Sequence, residues 1–421
     1  MKNIRELLDF INASKTSHHA AHEVAVRLDA AGFTALKETE AWQLSDGEGY
    51  YLLRGGAIIA FKYKKDPTSM AIISAHSDSP AFKVKCIPES VGSYTRLSVE
   101  SYGGAINYTW FDRPLSVAGR ALVSCSGGAE MRLVDISEPI AVIPSVAPHL
   151  KRDINSSFAP NLATDLQPLF SISQNSSLMD LVAERLGVEK EDVLSHDLYL
   201  YCAEKASLVG KDNELVLAPR IDDLASVFGA LDGLLNCKDS SAMPVLAVFD
   251  NEEVGSSTLE GAASDLFADV LEKTLSDSYQ RVVRASLMLS CDGAHALHPN
   301  HPELSDPACR PVLGGGVVIK YNANRRYSTD ATSDGALRAL AKRAGIALQC
   351  YANRADLPGG STLGSIATTR VPVTTADIGV AQLAMHSAVE TCAASDIYSL
   401  CDLAREFYSA GLVIENGGFK L

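Results

Sequence analysis

The apolar run Pro244-Val-Leu-Ala-Val-Phe249 is the feature that most constrains this chain, because an uncharged run of that length fits a strand buried on both faces of a parallel sheet. Asp250, Asn251, Glu252 and Glu253 follow it directly. They therefore stand at the carboxyl end of a buried strand, where open α/β sheets place their ligand sites. Two adjacent glutamates in such a place repel and desolvate each other, so a cation or a shared proton has to balance them. One could bind a metal while its neighbour moves a proton. As a solvated acidic turn, the pair would carry no chemistry.

Similar placements recur along the chain. Met70-Ala-Ile-Ile-Ser74 reads as a short apolar strand and runs into His76 and Asp78, a neutral imidazole with a carboxylate able to hold its other ring nitrogen. The run from Ser286 to Cys291 delivers Asp292, with His295 and His298 behind it. Asp222 and Asp223 open an apolar-periodic segment at residues 224–235, where ordinary acids would cap a helix and complement its dipole. His386 follows a short apolar stretch, and alone it reads as a satisfied core or surface histidine. Together His76, Asp222, Glu253, Asp292 and His386 form a nitrogen and oxygen donor set without thiolate. Such a set suits two borderline divalent ions, zinc first and manganese or cobalt as substitutes. A shared carboxylate would hold them roughly 3.5 to 4 Å apart.

Composition narrows the class. At 421 residues and 47% hydrophobic, the chain can bury one extended core and supports two domains. A net charge of -14, with no basic cluster to offset it, argues against nucleic acid and anionic membranes as partners. Nine cysteines with no CxxC pair point to reduced thiols and a cytoplasmic setting. No apolar run approaches the roughly 20 residues of a membrane span, and the charge-broken start from Met1 reads as an amphipathic helix rather than a targeting segment.

The expected fold is α/β. After the opening helix come a helix over 22–31 and strands near 50–53, 57–63 and 70–74. Helices at 224–235, 262–274 and 334–344 then alternate with strands at 244–249 and 286–291, which fits a mixed sheet covered by helices on both faces. Residues 88–206 have a different texture, with β-like runs at 95–99, 118–124 and 140–143 between Gly and Pro turns. The reading is a domain made of 1–87 and 207–421, interrupted by a β-rich insertion at 88–206. On texture alone that insertion is a lid or a decoration.

Ordered blocks along nearly the whole chain also carry a resemblance: SAHSDSPAFKVK at 74–85, TWFDRPLSVAGR at 109–120, IPSVAPHLKRDIN at 143–155, APRIDDLASVF at 218–228, FDNEEVGSSTLEGAAS at 249–264, SCDGAHALHPN at 290–300, IKYNANRRYST at 319–329 and QLAMHS at 382–387. In these blocks the chain resembles the aspartyl aminopeptidase family of tetrahedral dinuclear zinc peptidases. The resemblance implies that His76, Asp222 and Asp292 hold one metal and that Asp222 bridges to a second, completed by Glu253 and His386. It makes Glu252 the general base and Asp78 the partner of His76. It also implies that His149 reaches a neighbouring subunit's active site, and that His295, Lys320 and Tyr327 line the substrate site. The insertion becomes a dimerisation domain within a dodecamer built from dimers.

The implied reaction is removal of N-terminal residues from peptides by metal-activated water. Acidic residues are the favoured substrates, and neutral ones such as Leu or Met also occur within the family. A related deacylase or carboxypeptidase would need the same constellation, so the free-amine requirement decides between them. A non-catalytic scaffold is a further alternative, although structural zinc sites are closed and thiolate-rich while this set is rich in carboxylates. Four departures from the family pattern stand out: Asp223 replaces the usual Asn, Glu260 the usual Gln, Gly293 a frequent Met and Gly359 a frequent Cys. None removes a ligand, and Asp223 adds negative charge beside the bridging position.

Overall fold

A computed structural model describes residues 4–357 and 359–421, so the first three residues of the expected opening helix lie outside it. From Ile4 the helix forms as expected, Ile4–Ala13, with Leu7, Phe10 and Ile11 turned into the core.

The main sheet has nine strands among the described residues, in the order Thr34–Leu36, Gly49–Arg54, Ala57–Lys62, Ala242–Phe249, Ser69–His76, Leu287–Cys291, Thr374–Gly379, Val317–Tyr321 and Leu348–Ala352. It is mixed: Ala242–Phe249, Ser69–His76, Leu287–Cys291 and Thr374–Gly379 run parallel at its centre, flanked on each side by antiparallel pairing, while the outermost pair at each edge is parallel. The three that carry candidate ligands are buried at every residue, which is why they read as unbroken apolar runs. Their side chains alternate between two cores. Ala71, Ile73, Leu246 and Val248 face a cluster shared with Leu224, Leu231, Leu337 and Phe407. Met70, Ile72, Val245 and Phe249 face another, with Phe267, Leu271 and Val282. Helices therefore cover both faces, as the period-two pattern requires.

A second, antiparallel sheet has six strands in the order Gly128–Asp135, Leu115–Cys125, Val193–Cys202, Ala81–Val91, Thr95–Tyr102 and Leu169–Ser171. It has its own core around Phe82, Trp110, Leu198 and Leu200. Strand Ala81–Val91 spans residues 87 and 88 and lies in this sheet along its whole length. In place of the expected strand at 140–143, residues 141–143 make isolated bridges.

A third sheet was not expected. It joins Ser207–Val209, Leu215–Ala218, Glu390–Ala393, Ala381–Leu383 and Ala294–His295. The expected helix over 262–274 begins later, at Leu266, after a turn in which the Ser264 hydroxyl accepts the Leu266 N–H and donates to the Gly261 carbonyl.

Candidate metal centre

Strand register brings the first donors together. Phe249 lies opposite His76, and Ser290 opposite Ser74, so His76, the Asp250–Glu253 turn and Asp292 emerge at one level of the sheet's carboxyl edge. The third sheet supplies the rest. Asp222 lies four residues beyond strand Leu215–Ala218, and His386 lies in the turn between Ala381–Leu383 and Glu390–Ala393. Neither backbone is regular: Asp222 and Asp223 have non-helical angles at the start of helix Ile221–Asn236, and His386 sits at φ +68°.

The donors form overlapping groups whose ligand atoms lie within 4.8 Å of one another: His76 with Asp222, Asp223 and Asp292; His76 with Glu252 and Glu253; and Asp222 with Glu253 and His386. His76 Nε2 is 3.6 Å from Asp222 Oδ1 and 3.8 Å from Asp292 Oδ1. His386 Nε2 is 3.6 Å from Asp222 Oδ2 and 3.4 Å from Glu253 Oε1. Asp222 thus turns one oxygen to each imidazole.

Asp78 does not join these groups and holds them from behind. The His76 Nδ1 contacts the Asp78 carbonyl at 3.0 Å and its Oδ1 at 3.4 Å, which turns Nε2 toward Asp222 and Asp292. The same carboxylate accepts the N–H groups of Glu252 and Glu253, both at 3.1 Å, and the Tyr102 hydroxyl at 2.7 Å. One buried group therefore orients ligands from two strands.

Electrostatics follow from this crowding. Burial, reinforced by Asp292, Asp78 and Asp222 and opposed by His76, pushes the Glu252 carboxyl up to about 8. Burial also pushes Glu253 well up, and Asp222 adds to it. Asp292 is the opposite case. Burial alone would raise it, but the Lys320 ammonium at 3.3 Å and His76 hold it below the ordinary carboxylate range.

The sequence profile described as Aminopeptidase I zinc metalloprotease (M18) matches residues 10–408. The chain belongs to the M18 family. A probable M18 family aminopeptidase 2 from Clostridium novyi is 40% identical, covering 97% of this chain and 99% of that protein. One of the same description from Mycobacterium leprae is 38% identical, with 97% and 98% covered. Among solved structures, a chain of the Ape4 and Nbr1 complex superposes with TM-score 0.92 at 33% identity, covering 96% of this chain and 85% of that one. The S. cerevisiae mApe1 dodecamer gives 0.84 at 28% identity, with 97% and 96% covered. This M18 protein is a metal-dependent aminopeptidase and hence a hydrolase.

The centre fits the zinc of that family. Asp222 Oδ1 and Asp223 Oδ1 are buried without a hydrogen-bond partner, a costly state for carboxylate oxygens unless a cation takes the place of a donor. The donor set of imidazole and carboxylate is also one that zinc accepts. No described helix is long and apolar enough to cross a membrane.

Lys320 is buried, donating to the Gly293 carbonyl at 2.7 Å beside Asp292. A Cβ at Gly293 would lie 2.9 Å from Gln382 Nε2 and 3.0 Å from Met385 Cε, the ends of two flexible side chains that would have to shift. Tyr327 lies under Lys320, with its ring centre 5.3 Å from Nζ, and packs on Tyr351, which His295 meets edge-on. His149 stands apart from the grouped donors, exposed in the six-stranded-sheet segment.

Glu390 is the functional residue that sequence reasoning missed. It pairs with Ala218 in register, is buried, and accepts the backbone N–H of Asp222 at 2.9 Å and that of His386 at 2.7 Å. Its signal in the sequence was an acid in an otherwise apolar stretch four residues after His386.

Proposed function

We propose that this aminopeptidase removes N-terminal residues from short peptides with two divalent ions, zinc in the first instance. His76, Asp222 and Asp292 would hold one, and Asp222, Glu253 and His386 the other. The observation that carries this reading is the division of the Asp222 carboxylate between the His76 and His386 imidazoles. When bound, the ions would supply Lewis-acid polarisation of the scissile carbonyl and a lowered pKa for the attacking water. Glu252, grouped with His76 and Glu253 but not needed in either triad, would take the water's proton and return it to the leaving amine. Asp78 would keep His76 in the tautomer that presents Nε2. Lys320 and His295 would face substrate oxygens, with Tyr327 fixing Lys320 from below.

Residues 1–80 and 207–421 would form the catalytic domain, the expected boundary at 87 moving back to the start of strand Ala81–Val91, and 81–206 a dimerisation domain that carries His149 to a neighbour's site. The dodecameric state of yeast mApe1 supports a closed assembly of this kind. For acidic substrates the available cations are Arg325 and Arg326. Among the described residues their guanidinium groups donate to backbone carbonyls, whereas Lys320 is committed to Asp292. A panel of aminoacyl anilides assayed with defined metal content tests the reading: Asp and Glu substrates should be cleaved fastest, and N-acetylated ones not at all. Cleavage of N-acylated substrates would transfer the site to a deacylase, and a preference for Leu or Met would remove the acidic assignment alone.

A further inference from the structure

Asp223 stands next to the shared carboxylate and has no assigned task in the two triads. It is 1% exposed. Its Oδ2 accepts the His76 N–H at 3.2 Å, which fixes the side chain against the end of strand Ser69–His76. Its Oδ1 is buried with no hydrogen-bond partner. The regular helix starts only after Asp223, whose own angles are non-helical, and Oδ1 makes no hydrogen bond to cap it. His76, Asp222, Asp223 and Asp292 each offer a donor atom within 4.8 Å of the others, and all four are buried.

The two positions around Asp222 are therefore unequal. The first has an imidazole and three carboxylates, all on buried residues. The second has an imidazole and two carboxylates, with the His386 side chain 31% exposed. An asparagine at 223 would present an oxygen of the same shape without the charge. Added anionic oxygen strengthens a site for divalent ions in general and favours oxygen-preferring ions such as manganese over softer ones.

We propose that Asp223 Oδ1 is a fourth protein ligand at the first metal position, making that position the tighter of the two and more tolerant of manganese. The inference rests on the two-ion reading given above. To test it, protein freed of metal by chelator dialysis would be equilibrated with graded free Zn²⁺ or Mn²⁺, and bound ions counted by plasma mass spectrometry. The wild type should bind two ions per subunit. Asp223→Asn should still bind two at saturation, with one position weakened at least about tenfold, since even outer-shell partners are worth about 10- to 100-fold, and with the larger loss for Mn²⁺. Unchanged affinities for both metals in that variant overturn the proposal. A wild type that binds fewer than two ions overturns the two-ion reading instead.

Anomalous diffraction from metal-loaded wild-type crystals does not depend on how the variant folds. Asp223 Oδ1 at roughly 2.0 to 2.2 Å from an ion supports the assignment, and both Asp223 oxygens beyond about 3 Å from every ion overturn it.

Discussion

Glu390→Gln is the sharpest probe of how the centre is held, because the two oxygens of Glu390 serve two different metal-site residues. Oε2 accepts the Asp222 N–H and Oε1 the His386 N–H, at 2.9 and 2.7 Å. The amide keeps the shape but turns one acceptor into a donor, so one of these N–H groups loses its partner and faces another N–H. An unpaired buried donor costs about 1–3 kcal/mol. At about 1.4 kcal/mol per decade this is roughly a 5- to 150-fold change. Strand pairing holds the backbone of residue 390 against Ala218, so the cost falls on the placement of Asp222 and His386 rather than on the sheet. Zinc binding by the metal-free variant should therefore be weakened by about that factor, at the second position if the His386 N–H is left unpaired and at both if the Asp222 N–H is, with an unchanged far-ultraviolet circular dichroism spectrum. Glu390→Asp, which keeps the carboxyl group but loses reach, should also bind more weakly. Zinc affinity within about twofold of wild type in Glu390→Gln would refute the clamp, since the smallest predicted cost already exceeds that.

The adjacent glutamates should separate in their effects. Glu252→Gln should keep both ions and lose about 10²- to 10⁴-fold in turnover, the usual worth of a general base, while Glu253→Gln loses affinity for one ion; equal metal loss in both variants would sink the assignment. Inactive His149→Ala subunits mixed with inactive Glu252→Gln subunits should regain partial activity if His149 serves a neighbour, and verified mixed oligomers without recovery would confine it to its own chain. His18 supplies a pH test: it is buried with Nδ1 unpartnered, and burial pulls its pKa down to about 4. The unfolded chain, with a pKa of about 6.5, binds the proton first, so stability is full above about pH 6.5 and falls toward pH 4, by at most roughly 3 kcal/mol. Urea unfolding of metal-free protein at fixed concentration should show that loss flattened in His18→Gln, and an identical pH profile would remove His18 as its source.

Three of the site positions were legible in the sequence for one physical reason. Buried parallel strands read as unbroken apolar runs, and the residues that break them lie at the sheet's carboxyl edge, which is where His76, Asp292 and the Glu252–Glu253 pair stand. Asp222 and His386 were not legible in that way. They entered the donor set as an acid pair ahead of residues 224–235 and a histidine after a short apolar stretch, each with an ordinary structural reading beside it. Only their pairing to the metals came with the family resemblance. They hang on the third sheet, whose strands of two to four residues are too short for a period to register. The same brevity concealed Glu390, whose partners are backbone N–H groups that no side-chain pattern announces.

The consequence is a division of labour. The long sheet places one half of the centre by register, while the short sheet places the other half through a single buried carboxylate. Changes around Glu390 should therefore reach both metal positions through Asp222 and the second also through His386, whereas changes in the apolar strands should cost stability before they cost metal.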